Sequence, residues 1–172
     1  FDAINAEDAS IAASIAAARP EICQAIELVV RALSAGGRLI YVGAGTSGRL
    51  GVLDAAECPP TFLVPKGLVR GIIAGGSQAL TDSVEGAEDS VADGRAAVVA
   101  AEVEPNDVVF AIASGGTTPY VHGALQAARE GGAKTVFFAC VPREQQLDDA
   151  DVSIRVVTGP EVITGSTRMK AG

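Results

Sequence analysis

Five short apolar runs, separated by glycine-rich turns and helical stretches, constrain the fold of this chain more than any other feature. They lie at residues 38–42, 69–74, 107–113, 134–140 and 152–157. Each run is nearly continuous in apolar residues and as short as a strand, which is typical of strands buried on both faces. Strands of this kind that alternate with helices form a parallel sheet. The sequence therefore predicts an α/β fold, a three-layer α/β/α sandwich with a central parallel sheet.

The stretches between these runs carry apolar residues at helical spacing. The first, Asn5–Ser34, predicts a helical lead-in with a new helix start at Pro20, because proline suits the first turn of a helix. Further helices are predicted at 49–56, 81–101 and 119–129. We expect residues 1–36 to form an N-terminal helical lead-in that packs on the domain, and residues 37–172 to form the domain itself.

Charge and cysteine content exclude several classes of function. The formal net charge of −8 argues against nucleic-acid binding, which needs a basic surface, although backbone amides can still hold one small anion. No run of about 18 apolar residues occurs, so we expect neither a membrane span nor a membrane partner. The three cysteines are far apart and outside any metal-ligand spacing. This predicts a reduced, cytoplasmic protein without a metal site.

Turns rich in Gly, Ser and Thr follow the first and third predicted strands. In Gly43–Gly48 the glycines permit close backbone approach, and Thr46 and Ser47 supply hydroxyls and amides at a helix start, where the helix dipole favours an anion. Ser114–Thr118 repeats this design, and Gly165–Arg168 adds a guanidinium to a third such turn. Because ligands bind beyond the carboxyl ends of parallel strands, these turns together predict a phosphate site.

Other kinds of site chemistry have less support in the sequence. Gly43, Gly45 and Gly48 fit the Gly-x-Gly-x-x-Gly spacing, but no acidic residue closes a strand about 20 residues further on, so dinucleotide binding is a weak hypothesis. The lone His122 is expected to be a surface or hydrogen-bonded helix residue. Cys58 has no second histidine nearby to activate it and is expected to be a packed thiol.

Carboxylates near the predicted loops are candidates for acid–base chemistry. Glu57 lies where the helix after the first loop is expected to end, because Pro59–Pro60 should force an extended exit. Three more carboxylates are expected on the Ala-rich helix after the second strand: Glu85, Glu88 and Asp89. From spacing alone, each of these groups is predicted to be a solvated helix side chain.

A longer stretch, Ile40–Phe62, resembles the signature of N-acetylmuramic acid 6-phosphate etherases, a family of the sugar isomerase (SIS) domain superfamily. Its core reads Gly-Ala-Gly-Thr-Ser-Gly-Arg and continues to Ala-Glu-Cys-Pro-Pro-Thr-Phe. Four further segments are similar to the same family, at residues 4–9, 73–76, 84–89 and 159–172. The resemblance thus covers essentially the whole chain and implies the SIS fold.

The resemblance also implies a reaction and the residues that perform it. These enzymes remove the lactyl ether at C3 of N-acetylmuramic acid 6-phosphate and yield N-acetylglucosamine 6-phosphate and D-lactate, without a cofactor. By position, Glu57 matches the acid that protonates departing lactate, and Glu88 matches the base at C2. The expected phosphate-binding residues are Gly45, Thr46, Ser47, Ser114, Gly116, Thr117, Thr118, Ser166 and Thr167. The resemblance further implies a homodimer with a site near the subunit interface.

Two departures from the family pattern stand out. The family commonly has Ala-Ser-Gly-Arg-Thr-Pro after the third strand, so its usual Ser falls at Gly115 and its usual Arg at Thr117, while Ser114 stands one position earlier. The family also continues past Gly172 into a further helical region. Together with a start at Phe1, this leads us to expect a fragment.

Two other functions share the superfamily and stay open. One is a non-catalytic, sugar-phosphate-binding regulator that resembles glucokinase regulatory protein and has the same glycine-threonine-serine loop. The other is an aldose–ketose isomerase, which also removes a proton at C2, but whose domains do not usually carry the Glu57–Pro60 segment. Glu57 and Glu88, together with the segment 166–170, favour the etherase.

Overall fold

A computed structural model describes residues 1–172. It has five strands, one at each of the five apolar runs of the sequence. Helices fill most of the chain between them. In chain order the elements are α1 (Asp2–Asp8), α2 (Ile11–Ala17), α3 (Arg19–Ser34), β1 (Leu39–Gly43), α4 (Gly45–Phe62), β2 (Val69–Ile73), a short 3₁₀ helix (Gly76–Leu80), α5 (Val91–Ala100), β3 (Val108–Ile112), α6 (Pro119–Glu130), β4 (Lys134–Ala139) and β5 (Val152–Arg155). None of the helices combines the length and apolar composition needed to cross a membrane.

The strands form one parallel sheet in the order β2-β1-β3-β4-β5. Gly43, the last residue of β1, pairs with Ile73 at the end of β2 and with Ile112 at the end of β3. The carboxyl ends of these three strands are therefore level, and the loops that follow them leave from one edge.

Helices cover both faces of the sheet, as predicted for a three-layer α/β/α sandwich. On one face, Val42 and Phe137 pack in a buried cluster with side chains of α5 and α6. On the other face, Ala25 of α3 joins a cluster with Val108 of β3. Gly51 of α4 lies against Tyr41 on this second face. The helices α3 and α4 thus share one face, and α5 and α6 share the other.

The lead-in consists of three helices rather than one long helix that restarts at Pro20. The third helix, α3, begins at Arg19, so that Pro20 lies in its first turn as predicted. It packs on β1, β3 and β5. Two contacts bind the first two helices to the end of the chain: Ser14 Oγ donates to the carbonyl of Val157 at 2.9 Å, and Lys170 Nζ donates to Glu7 at 2.5 Å.

The end predicted for the helix after the first loop is wrong. Instead of stopping near Ala56, α4 begins at Gly45 and continues through Pro59 and Pro60 to Phe62. The two prolines lie in the last turns, where their fixed φ suits a helix and only two backbone N–H donors are lost. The helix stops instead at Leu63, whose φ of 55° is left-handed.

The helix predicted over residues 81–101 is also wrong, since only Val91–Ala100 is helical. Ser90 caps this helix by accepting the backbone N–H of Asp93 at 3.1 Å. Residues 81–90 form turns, one of which needs the φ of 73° at Gly86. Glu85, Glu88 and Asp89 consequently lie in an irregular segment and not on a helix.

Candidate functional site

Two of the predicted loops meet at the centre of the sheet. From β1 the chain leaves through α4 toward β2, while from the neighbouring β3 it leaves through α6 on the opposite face. Adjacent strands whose connections depart to opposite faces leave a crevice at their carboxyl ends, where ligands bind in such folds. The Oγ atoms of Ser47 and Ser114, one from each loop, lie 3.4 Å apart across this crevice.

The first loop is a bare helix N-terminus. Ala44 is extended, Gly45 has a φ of 53°, and no side chain caps α4. The N–H groups of Gly45, Thr46 and Ser47 therefore have no partner within the helix. Gly48 permits this tight turn, because a Cβ there would lie 2.7 Å from the carbonyl oxygen of Gly43. The expected residues of the first loop thus offer N–H groups to an anion.

The second loop is held by hydrogen bonds at its beginning and middle. Ser114 is buried; its Oγ donates to the carbonyl of Ala171 at 2.9 Å, and its carbonyl accepts the N–H of Cys140 at 2.8 Å. The carbonyl of Gly116 lies 2.7 Å from Nε2 of His122, which confirms that this histidine is hydrogen-bonded within the fold.

The remaining expected residues of that loop face solvent or lack partners. Thr117 is exposed, and Thr118 precedes α6 without capping it through its side chain. Gly115, where the family commonly has serine, is exposed as well, with open space around it. The hydroxyls of Thr117 and Thr118 and the N–H groups of 115, 117 and 118 are therefore free for a ligand, whereas the Ser114 hydroxyl proton and the N–H and carbonyl of Gly116 are already engaged.

The third turn lies in an irregular segment, residues 159–172, which contacts the edge of the crevice at Ala171. Arg168 Nε donates to Ser166 Oγ at 2.7 Å, but neither Ser166 nor Thr167 makes a hydrogen bond to the first two loops. The segment reaches those loops only through the Ala171 carbonyl and Ser114. The third turn is thus connected to the site through a backbone carbonyl of its segment and not through the side chains of Ser166 and Thr167.

One carboxylate and one lysine that sequence reasoning missed hold this segment. Glu161 accepts the backbone N–H groups of Met169, Lys170 and Ala171 at 3.3, 3.0 and 3.3 Å. Burial acts to raise the pKa of Glu161, but these three N–H bonds and the Lys170 charge outweigh it and hold the pKa below its ordinary value. The Lys170 side chain is 2% exposed and pairs with Glu7. No sequence pattern reveals these contacts, because the segment has no period.

A cavity of about 190 Å³ lies beside the first loop and brings Glu88 to it. Its lining includes Gly45, Arg49 and Glu88. Arg49, in the first turns of α4, donates to the carbonyls of Leu80 and Asp82 at 3.3 and 2.9 Å and so ties the 81–88 segment to the loop. The candidate base is therefore adjacent to the candidate phosphate site within one chain.

Glu57, in contrast, is not brought to these loops within one chain. It lies twelve residues along α4 from Gly45, which at helical rise is about 18 Å away. Its side chain is exposed, as is that of Leu53, one turn earlier. Next to it, burial and the Asp54 carboxylate raise the pKa of the Cys58 thiol, which disfavours the nucleophilic thiolate.

Comparisons with known proteins agree with this geometry. Residues 21–129 match the family model described as the glucokinase regulatory protein N-terminal SIS domain. Two relatives are both named N-acetylmuramic acid 6-phosphate etherase. The one from Nostoc punctiforme is 59% identical over 168 residues, which is 98% of this chain and 54% of the relative. The one from Synechocystis is 57% identical over 171 residues, which is 99% of this chain and 56% of the relative.

Two of the solved structures that resemble the chain are phosphoheptose isomerases by title. A phosphoheptose isomerase from Neisseria gonorrhoeae has a TM-score of 0.64 at 19% identity and covers 94% of this chain and 88% of its own. A second, from Francisella tularensis, has a TM-score of 0.61 at 21% identity over 90% and 84% of the two chains. These identities establish the fold alone. The chain spans about half the length of the curated relatives it matches.

Proposed function

This chain belongs to the SIS-domain family. We propose that it forms the SIS domain of a carbon–oxygen lyase, an N-acetylmuramic acid 6-phosphate etherase. The reaction eliminates D-lactate from C3 and adds water, which gives N-acetylglucosamine 6-phosphate in the recycling of cell-wall sugar. The relatives at 57% and 59% identity favour this function over the others. The observation that carries it is the bare start of α4 where Ser47 meets Ser114, with Glu88 beside it.

The phosphate of the sugar binds at the start of α4 and at the loop after β3. Backbone N–H groups of Gly45, Thr46 and Ser47 supply the donors there, which explains how a chain of net charge −8 accepts a dianion. The loop after β3 adds the hydroxyls of Thr117 and Thr118, while Ser114 and Gly116, whose own donors are engaged within the chain, hold that loop in place. The segment 159–172 adds Ser166 and Thr167. No metal or other cofactor takes part in this scheme.

Glu88 acts as the base at C2. In the open-chain sugar the aldehyde acidifies the C2–H bond, and the Glu88 carboxylate takes that proton. The electron pair forms a C2–C3 double bond and expels the lactyl oxygen from C3. Protonation of that oxygen by Glu57 completes the loss of lactate, and water then adds across the double bond.

A second copy of the chain supplies Glu57. About 18 Å of helix separates Glu57 from the loop of its own chain, which is too far for one sugar to bridge. The same part of the surface exposes apolar side chains: Leu53, one turn before Glu57, is 57% exposed, Phe62 at the end of α4 is 70% exposed, and Ile26 of α3 on the same sheet face is 57% exposed. A homodimer that buries this face would place Glu57 near the partner's site.

The division of the chain and its location follow from the same scheme. Residues 1–36 form the helical lead-in, which packs on the SIS domain of residues 37–172 and braces it through Glu7. The three cysteines are all unpaired, which supports a reducing, cytoplasmic location.

The test supplies N-acetylmuramic acid 6-phosphate in deuterated water and measures lactate release and deuterium at C2. It is run on this chain and on a chimera in which residues 1–172 replace the matching part of the Nostoc punctiforme relative, with that relative as the positive control. We expect the chimera to release lactate and to label C2. A folded, dimeric chimera that does neither would exclude the etherase function.

The same assay separates the two alternatives. The regulator is supported by the family model that matches residues 21–129, and it predicts sugar-phosphate binding without lactate release or C2 exchange. An aldose–ketose isomerase predicts exchange at C2 without lactate release.

A further inference from the structure

The irregular segment 159–172 is organised by one side chain, Glu161. Residues 159–172 contain no helix or strand, yet three consecutive N–H groups, from Met169 to Ala171, converge on the Glu161 carboxylate. Consecutive N–H groups that converge in this way form an anion-binding nest, and here the anion belongs to the chain itself. The Lys170 side chain, buried against Glu7, fixes the same residues from the other side.

This nest is linked to the point where the two loops meet. Ala171 donates its N–H to Glu161 and accepts, through its carbonyl, the hydroxyl proton of Ser114 at 2.9 Å. A serine hydroxyl has one proton, so Ser114 can only accept in its 3.4 Å contact with Ser47. Ser47 is then the donor in that contact, and its hydroxyl proton is directed across the crevice.

We propose that Glu161 is a positioning residue of the sugar-phosphate site. It holds Ala171, Ala171 holds the Ser114 hydroxyl, and Ser114 accepts the Ser47 hydroxyl proton. This fixes the Ser47 side chain in the first turn of α4, where the unpaired N–H groups receive the phosphate. The inference rests on the proposed function, because it assigns a role within the same site. Glu161 itself touches no substrate atom in this scheme and acts only through the backbone of 169–171.

The substitution Glu161→Gln tests this with little change in volume. An amide nitrogen cannot accept, so only the amide oxygen remains to accept the three N–H groups, and it carries no charge. Glu161→Asp keeps the charge on a side chain one methylene shorter and should restore part of the effect. Glu104→Gln is the matched control, because Glu104 is exposed and precedes β3 at the opposite edge of the sheet.

Two measurements separate positioning from mere folding. Binding of N-acetylglucosamine 6-phosphate by calorimetry should weaken about tenfold in Glu161→Gln, by the loss of a charge-assisted bond, less in Glu161→Asp, and not in Glu104→Gln. In the active chimera, KM should rise by a similar factor with kcat little changed. Hydrogen exchange should accelerate at the amides of 169–171 while the thermal midpoint of the whole chain stays near that of the wild type.

The results distinguish a failure of the positioning role of Glu161 from a failure of the proposed function. If exchange at 169–171 is unchanged in Glu161→Gln, the nest does not hold the segment and the inference fails. If exchange accelerates but binding and KM are unchanged, the segment is held without positioning the site, and the inference also fails. If the wild-type chain and chimera do not bind the phosphosugar, the proposed function fails first, and the inference with it.

Discussion

The two ends of α4 differ in almost every physical respect. At its start, Gly45–Gly48 is packed so tightly on β1 that a Cβ at Gly48 would overlap the backbone, and the first turn contacts Ser114 of another loop. At its other end the helix exposes Leu53, Glu57 and Phe62 and contains two prolines. One end is completed by its own chain, while the other has an uncovered apolar surface.

In the proposed function, this difference lets one helix serve two sites. The start of α4 would receive the phosphate without a partner, because the free N–H groups and the neighbouring loop belong to the same chain. Glu57, near the other end, would act in the site of a second copy of the chain. Four predictions test this contrast between the ends.

The largest effect is expected from separating the two carboxylates. In the chimera, Glu57→Ala should abolish lactate release while C2 exchange survives, and Glu88→Ala should impair exchange itself, each by about 100-fold or more. Mixed and allowed to exchange subunits, the two variants should recover about one quarter of the wild-type rate, because half of the dimers are mixed and each rebuilds one of two sites. No recovery in verified mixed dimers would show that both groups act within one chain.

The start of α4 should be intolerant of added volume. Gly48→Ala places a Cβ 2.7 Å from the Gly43 carbonyl oxygen and from Ile73, which we expect to lower the free energy of unfolding by about 3 kcal/mol. Thr61→Ala, on an exposed position of the last turn, should change it by less than about 0.5 kcal/mol. Denaturant unfolding measures both, and equal costs would remove the contrast in packing.

The end of α4 should matter for association rather than for folding. Phe62→Ser removes an exposed apolar side chain, so the free energy of unfolding of the chain should change by less than about 0.5 kcal/mol. The dissociation constant of the dimer, by sedimentation, should rise about tenfold. Val99→Ser is the control, since Val99 is 71% exposed on α5 at the opposite face. An equal effect of both variants would place the interface elsewhere.

The smallest effect is expected in thiol labelling. With iodoacetamide at pH 8, Cys58 should react several-fold more slowly in concentrated than in dilute protein, because the partner covers that end of α4. Cys140, near the start of α4, should be slow at every concentration, since burial and the Glu161 carboxylate raise its pKa to about 11 and leave little thiolate. Mass spectrometry resolves the two sites, and a concentration-independent rate at Cys58 would argue against burial there.

Much of the fold could be predicted because its signals are local. A continuous apolar run such as 107–113 has few ways to be buried other than as a central strand, and β3 lies there. The end of α4 could not be predicted from the sequence. The helix continues through Pro59 and Pro60 and ends at Leu63, whose backbone is left-handed. The composition of residues 81–90 predicts helix, but the Ser90 cap and the Gly86 turn outweigh it.

Local sequence patterns suffice to predict a parallel sheet with Gly-, Ser- and Thr-rich loops at its carboxyl edge, since apolar runs and turn residues act between near neighbours. Which groups meet at that edge depends on how the distant segments pack. Ser47 approaches Ser114, 67 residues away, because β1 and β3 are adjacent in the sheet. The same packing separates Glu57 from the loop only twelve residues before it, since a helix turns sequence distance into length.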